Sequence, residues 1–113
     1  GTAQFAAPEV LVLPDEMRPG PPGLNASYTL KADVYSTGML LWTLSTRVPP
    51  FDGMRLSTVM RAVKAGERPP PLRADSDAPE QWRMLVDACL AHDPQQRPDI
   101  GHVLEVLERL ERP

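Results

Sequence analysis

An all-α fold is what the sequence predicts, and three observations carry that expectation. Apolar side chains recur at the i, i+3, i+4, i+7 spacing of a helix face in three separate stretches. A fourth stretch, residues 31–46, is apolar in nearly every direction, as a helix buried on all sides would be. Fourteen prolines in 113 residues, more than twice the usual share of about 5%, leave little room for long strands. A chain of this size buries about 60 to 65% of the surface of its unfolded form, enough for one thin core.

Taken in chain order, Pro8 to Leu13 reads as a short helical turn, since proline tolerates the first helical position and Glu9 complements the helix dipole. Pro14 stops it. Residues 14–27 (PDEMRPGPPGLNAS) have no periodicity and read as an exposed loop. Residues 31–46 (KADVYSTGMLLWTLST) then place Val34, Tyr35, Met39, Leu40, Leu41, Trp42 and Leu44 around the whole circumference of a central helix, which Pro49 and Pro50 end. In residues 56–65 the buried face is Leu56, Val59, Met60 and Val63, with Gly66 suited to a left-handed cap. Three consecutive prolines force Arg68–Leu72 to be extended. Asp77 and Glu80 have the spacing of a capping box, opening a helix to about Ala91 that buries Trp82, Leu85, Val86 and Cys89. Asp99 is placed to cap a last helix with Ile100, Val103, Leu104, Leu107 and Leu110 as its stripe.

Composition excludes several functions. The net charge of -3 does not suit a nucleic-acid binder, and no apolar run approaches the roughly 20 residues that span a bilayer. One cysteine, Cys89, allows no intrachain disulfide and favours a cytoplasmic or other intracellular setting. His92 and His102 have no cysteine or carboxylate at zinc spacing, so no metal site is expected. The chain opens on Gly1 and not on Met, which leads us to expect a piece of a larger protein.

Three groups of residues, in this order, resemble the C-terminal lobe of a protein kinase: Gly1-Thr2 with Ala7-Pro8-Glu9, then Asp33-Val34-Tyr35-Ser36 with Gly38, then Asp93-Pro94 with Arg97-Pro98. Trp42, Pro50-Phe51 and Trp82 stand at compatible places, so the likeness covers almost the whole chain. Val34-Tyr35-Ser36 and Leu40-Leu41-Trp42 look like tyrosine kinases while Gly1-Thr2 looks like Ser/Thr kinases, a combination similar to the tyrosine-kinase-like Ser/Thr group. The resemblance makes residues 1–113 a partial kinase domain, the lower part of the lobe, with residues 14–28 as a loop insertion.

The resemblance also assigns roles. Glu9 and Arg97 match a buried ion pair, for which a guanidinium is suited because its rigid fork meets a carboxylate at two points and stays charged when desolvated. Asp33, near the start of the central helix, either caps that helix or orients the catalytic loop, and both readings stand. Gly1 and Thr2 match the substrate-facing end of the activation segment. Thr37 replaces a side chain that is generally bulky and apolar in the family, which implies a loosened or repacked core. Gly38 implies a close backbone approach.

Catalytic residues are not expected in this chain. It contains no Gly-x-Gly-x-x-Gly cover, no His-Arg-Asp loop and no Asp-Phe-Gly segment, so ATP and magnesium belong to the complete kinase and neither to this piece. The implied function is substrate platform and structural base of a kinase acting on Ser/Thr, with Tyr left open. Its implied partners are the remainder of the kinase domain and a protein substrate, with no nucleic acid and no membrane. The alternative is a pseudokinase lobe or interaction module. Residues 47–73 carry six basic side chains against two acidic ones, a local +4, and make Arg61 and Lys64 candidate docking residues.

Overall fold

The computed structural model describes residues 2–11 and 26–111, and the insertion expected at 14–28 lies almost entirely outside them. Four helices carry the described residues: α1 Ala26–Thr46, α2 Leu56–Lys64, α3 Glu80–Cys89 and α4 Ile100–Glu111. Single 3-10 turns occupy Thr2–Phe5 and Pro94–Gln96, and no strand occurs among the described residues. The expected all-α fold, with a long helix at its centre, is therefore what forms among the described residues.

Helix α1 begins five residues earlier than its apolar pattern suggested. Nothing in residues 26–32 (ASYTLKA) breaks a helix, so it runs back to Ala26. It is also not buried all round. Val34, Tyr35, Met39, Leu41 and Trp42 lie in the core, but Leu30, Leu40 and Leu44 are 65%, 51% and 60% exposed. With Asp33 and Thr37 they make one stripe at spacings of three and four. Thr37 thus sits on the outer face, half-buried, its hydroxyl donating to the Asp33 carbonyl at 2.8 Å; the core it was expected to loosen lies on the other side.

The crossing of α1 and α3 is as close as Gly38 implied. A Cβ on Gly38 would lie 2.6 Å from the Cβ of Cys89, closer than Cβ atoms pack, and in a tight contact of 3.2 Å with Cδ2 of Leu90. Cys89, Leu85, Val86 and Leu90 of this crossing join Val103 of α4 in the main core, with Trp82, Val106 and Leu107 packed at its edge. The Trp82 indole donates to the Ser45 hydroxyl at 2.7 Å, and the Trp42 indole to the Pro70 carbonyl at 2.7 Å, which holds the extended segment 68–72 across α1.

Helix α2 has a small core of its own, in which Val59 and Val63 close over Leu11, with Ala6, Phe51 and Met60 around them. Leu56, expected on this face, is 54% exposed at the first helical position, one turn short of the residues it would need to reach. The helix ends as its glycine indicated. Gly66, at φ +100°, donates to Val63 at 3.0 Å while Glu67 donates to Ala62 at 2.9 Å, the paired bonds of a Schellman cap.

The start of α3 differs from expectation. No capping box forms at Asp77, because Pro79 drives Ala78 out of helical backbone and delays α3 to Glu80. At the start of α4 the Asp99 carbonyl accepts the Val103 N–H at 3.1 Å, and its carboxylate Oδ1 also accepts from Lys31 at 2.9 Å. Along α4 the apolar residues form the expected stripe, but only one edge of it is covered: Val103 is buried and Leu107 packs against the core, while Ile100 and Leu104 at the other edge are exposed.

Candidate functional site

Arg97 leaves the 3-10 turn Pro94–Gln96 with extended backbone, φ -81° and ψ 146°, the conformation that the following Pro98 requires. Asp93 starts that turn by accepting the Gln95 N–H at 2.9 Å. Glu9 sits in a turn closed by the Val10 N–H on the Ala7 carbonyl at 3.0 Å. The two side chains meet fork to fork, Nη1 to Oε2 at 2.6 Å and Nη2 to Oε1 at 2.9 Å, with the guanidinium fully buried.

The remaining guanidinium hydrogens go to carbonyls. Nε donates to Ala91 at 2.7 Å, Nη1 to Lys31 at 3.0 Å and Nη2 to His92 at 3.1 Å. The cation also lies 4.9 Å from the ring centroid of Tyr35, whose hydroxyl is pushed up from its ordinary pKa by burial, against the partial opposing pull of Arg97. Lys31 closes the arrangement by donating to the Arg97 carbonyl at 2.8 Å and to Asp99, whose carboxyl it holds below the usual range. One arginine therefore fastens residues 9, 31, 91 and 92 together.

The segment before Glu9 is fastened as well. Ser36 of α1 donates to the Phe5 carbonyl at 2.9 Å, and Lys64 of α2 donates to the Leu11 carbonyl at 2.7 Å. Lys64, taken from its sequence as a docking charge, is thus engaged with the chain's own backbone, and Arg61 stands on an exposed part of α2. Gly1 lies outside the described residues, and Thr2 begins the 3-10 turn. Asp33 is not at a helix start: it lies in the third turn of α1, where the backbone N–H groups are already committed, so the capping reading is withdrawn. Its side chain is exposed.

The site is built to brace and position: a buried ion pair and carbonyl-bonded side chains tie distant segments together. Among the described residues no cluster of His, Cys, Asp or Glu could hold a metal ion. Cys89 is buried and its thiol is pushed up to about 11 by that burial, the opposite of a nucleophile. No helix among the described residues is long and apolar enough to cross a membrane.

Residues 4–107 match the family model described as protein tyrosine and serine/threonine kinase. The chain belongs to that family. It is 37% identical over 112 residues to the probable serine/threonine-protein kinase drkB of Dictyostelium discoideum, covering 98% of this chain and 14% of that protein. It is 32% identical over 114 residues to human mitogen-activated protein kinase kinase kinase 7, covering 99% of the chain and 16% of the relative. A human mixed lineage kinase domain-like protein is 34% identical over 80 residues, or 71% of the chain and 17% of that protein. The chain therefore spans only a small part of the curated relatives it matches, and it is a fragment of a kinase domain of the tyrosine-kinase-like type.

Sequence reasoning missed Lys31, Ser36 and the backbone role of Lys64. Each reaches a carbonyl or carboxylate 31 to 68 positions away, and no local pattern announces such a bond.

Proposed function

We propose that this chain is the substrate platform and structural base of a kinase that transfers phosphate from ATP to Ser/Thr of protein substrates, and that it has no activity alone. The observation that carries the reading is the fork-to-fork Glu9–Arg97 pair, which fixes the Ala-Pro-Glu turn, and the segment leading into it, to the helical base. Thr2–Phe5 is then the substrate-facing end of the activation segment. Asp33, exposed on the outer face of α1 among Leu30, Leu40 and Leu44, would orient the catalytic loop, and the remainder of the kinase domain would cover that apolar stripe.

ATP and magnesium supply the phosphoryl group and its charge neutralisation in such kinases. The residues present do not fit them, since every phosphate-cradling and metal-holding motif is missing from the sequence, and no step of the transfer is assigned to this chain.

The test is ATP-dependent phosphorylation by a complete kinase domain containing this chain, against paired peptides that differ only in Ser or Tyr at the acceptor. Transfer to the Ser peptide is expected. ATP binding without transfer to either would replace the reading with a pseudokinase lobe.

The interaction-module reading draws on exposed Leu56 beside exposed Arg55 and Arg61 on α2, within the locally basic stretch. Charge reversal at Arg61 weakens capture of an acidic partner in a pull-down if that reading is right.

A further inference from the structure

We infer that Ser36 and Lys64 are positioning residues for the segment Phe5–Leu11, which continues from the substrate-facing turn Thr2–Phe5 and which they hold at its two ends from two different helices; the inference rests on the assignment of Thr2–Phe5 proposed above. The segment from Phe5 to Leu11 is not regular structure beyond its turns, and carbonyls outside those turns have no helix or strand ladder to bond them. Two of them are taken by side chains. Ser36 Oγ donates to Phe5 at 2.9 Å from α1, and Lys64 Nζ donates to Leu11 at 2.7 Å from the last residue of α2.

Neither bond is the default for its residue. Hydroxyls inside a helix commonly return to the carbonyl four residues earlier. Along α1, Thr37 does so to Asp33, Thr43 to Met39 and Ser45 to Leu41, each at 2.8 Å. Ser36, on the face turned toward residues 2–11, gives its hydrogen to that segment. A lysine in the last turn of a helix can bond the helix's own last carbonyls. Lys64 reaches across to Leu11, 53 positions away.

Packing couples the same parts. Helix α2 closes Val59 and Val63 over the Leu11 side chain and brings Ala6 into the same small core. The segment is therefore anchored at Phe5 by α1, at Glu9 by Arg97 and at Leu11 by α2. Glu9–Arg97 sets where its middle sits. Ser36 and Lys64 set its tilt, and so the approach of a protein substrate, without touching nucleotide.

The experiment has two arms. Amide hydrogen exchange is measured on the chain as it stands, comparing S36A and K64M with S36T and K64R, which keep the donors. Each of the first pair is expected to raise exchange at residues 5–11, Val10 included, by about tenfold, the worth of one hydrogen bond to a backbone carbonyl. Exchange in α3 and α4 stays as in the unsubstituted chain, and S36T and K64R restore protection. In a complete kinase domain the same two variants raise KM for the protein substrate by a similar factor and leave KM for ATP unchanged. Unchanged exchange at 5–11, or a loss spread evenly over α1, α3 and α4, overturns the inference, as does an equal rise in both KM values. A domain that binds ATP but transfers nothing defeats the kinase reading, and the exchange arm still decides whether Ser36 and Lys64 hold the segment.

Discussion

Arg97 uses all five of its guanidinium N–H groups within the protein, on Glu9 and on the carbonyls of residues 31, 91 and 92. That saturation is what makes so complete a burial tolerable: a desolvated cation is costly unless it is paired and every donor is bonded. Lysine keeps the charge and has a stem of similar reach, but it offers three donors from one point and cannot meet two carboxylate oxygens and three carbonyls together. R97K is therefore expected to lose about 2 to 4 kcal/mol of stability, seen as a lower urea midpoint at constant slope. A midpoint close to that of the unsubstituted chain would mean that the fork geometry carries no weight. Truncating Glu9 instead leaves the cation buried without its anion, which belongs to the class of changes that cost about 3 to 5 kcal/mol.

At the scale of the element, the ends of helices separate what was legible from what was not. Gly66 announced its cap because the left-handed backbone it supplies is one that few other residues adopt without strain. The start of α3 does not follow the capping-box spacing of Asp77 and Glu80, because Pro79 between them keeps Ala78 out of helical backbone. The end of α1 is the least expected: Arg47, a residue with a Cβ, takes φ +58° and donates its N–H to the Thr43 carbonyl at 2.7 Å. It occupies the position where a glycine usually ends a helix, and Pro49 and Pro50 beyond it leave the chain few ways to turn. A left-handed residue of this kind stores about 1 kcal/mol of strain. R47G is expected to recover roughly that amount in the folded state and to return some of it through a more flexible unfolded chain. The cleaner comparison is R47G against R47V, in which the β-branched side chain is strained further. Thermal unfolding should rank Gly above Arg and Arg above Val, and a Val variant as stable as Arg would show that the conformation imposes no cost.

Across the whole molecule, the family was legible because its short motifs fall in order along the chain, and the pairing of Glu9 with Arg97 was available only through that resemblance, since 88 positions separate them. Burial was legible as periodicity, but which apolar face is covered depends on the neighbours. Leu40 and Leu44 read as core because α1 is apolar all round, yet the described residues leave them in solvent. The interior where α1, α3 and α4 meet holds two protonated groups that make the core sensitive to alkali. Burial pushes the Cys89 thiol from 9.0 up to about 11, and Tyr35 is raised for the same reason. The sign follows from proton counting. Below pH 9 both the folded and unfolded chains hold the thiol proton, and this contribution to stability is fully present. Between pH 9 and about 11 the unfolded chain loses the proton while the folded chain keeps it, so stability falls as the pH rises. The loss attributable to Cys89 is on the order of 2 kcal/mol. C89A separates this from every other alkaline titration, because the variant carries a fixed packing cost and no thiol. Urea midpoints of the two chains, taken at intervals from pH 8 to pH 11, should therefore converge as the pH passes 9, with the decline that remains in C89A including the contribution of Tyr35. A gap that stays constant over that range would place the Cys89 thiol in contact with solvent and out of the core.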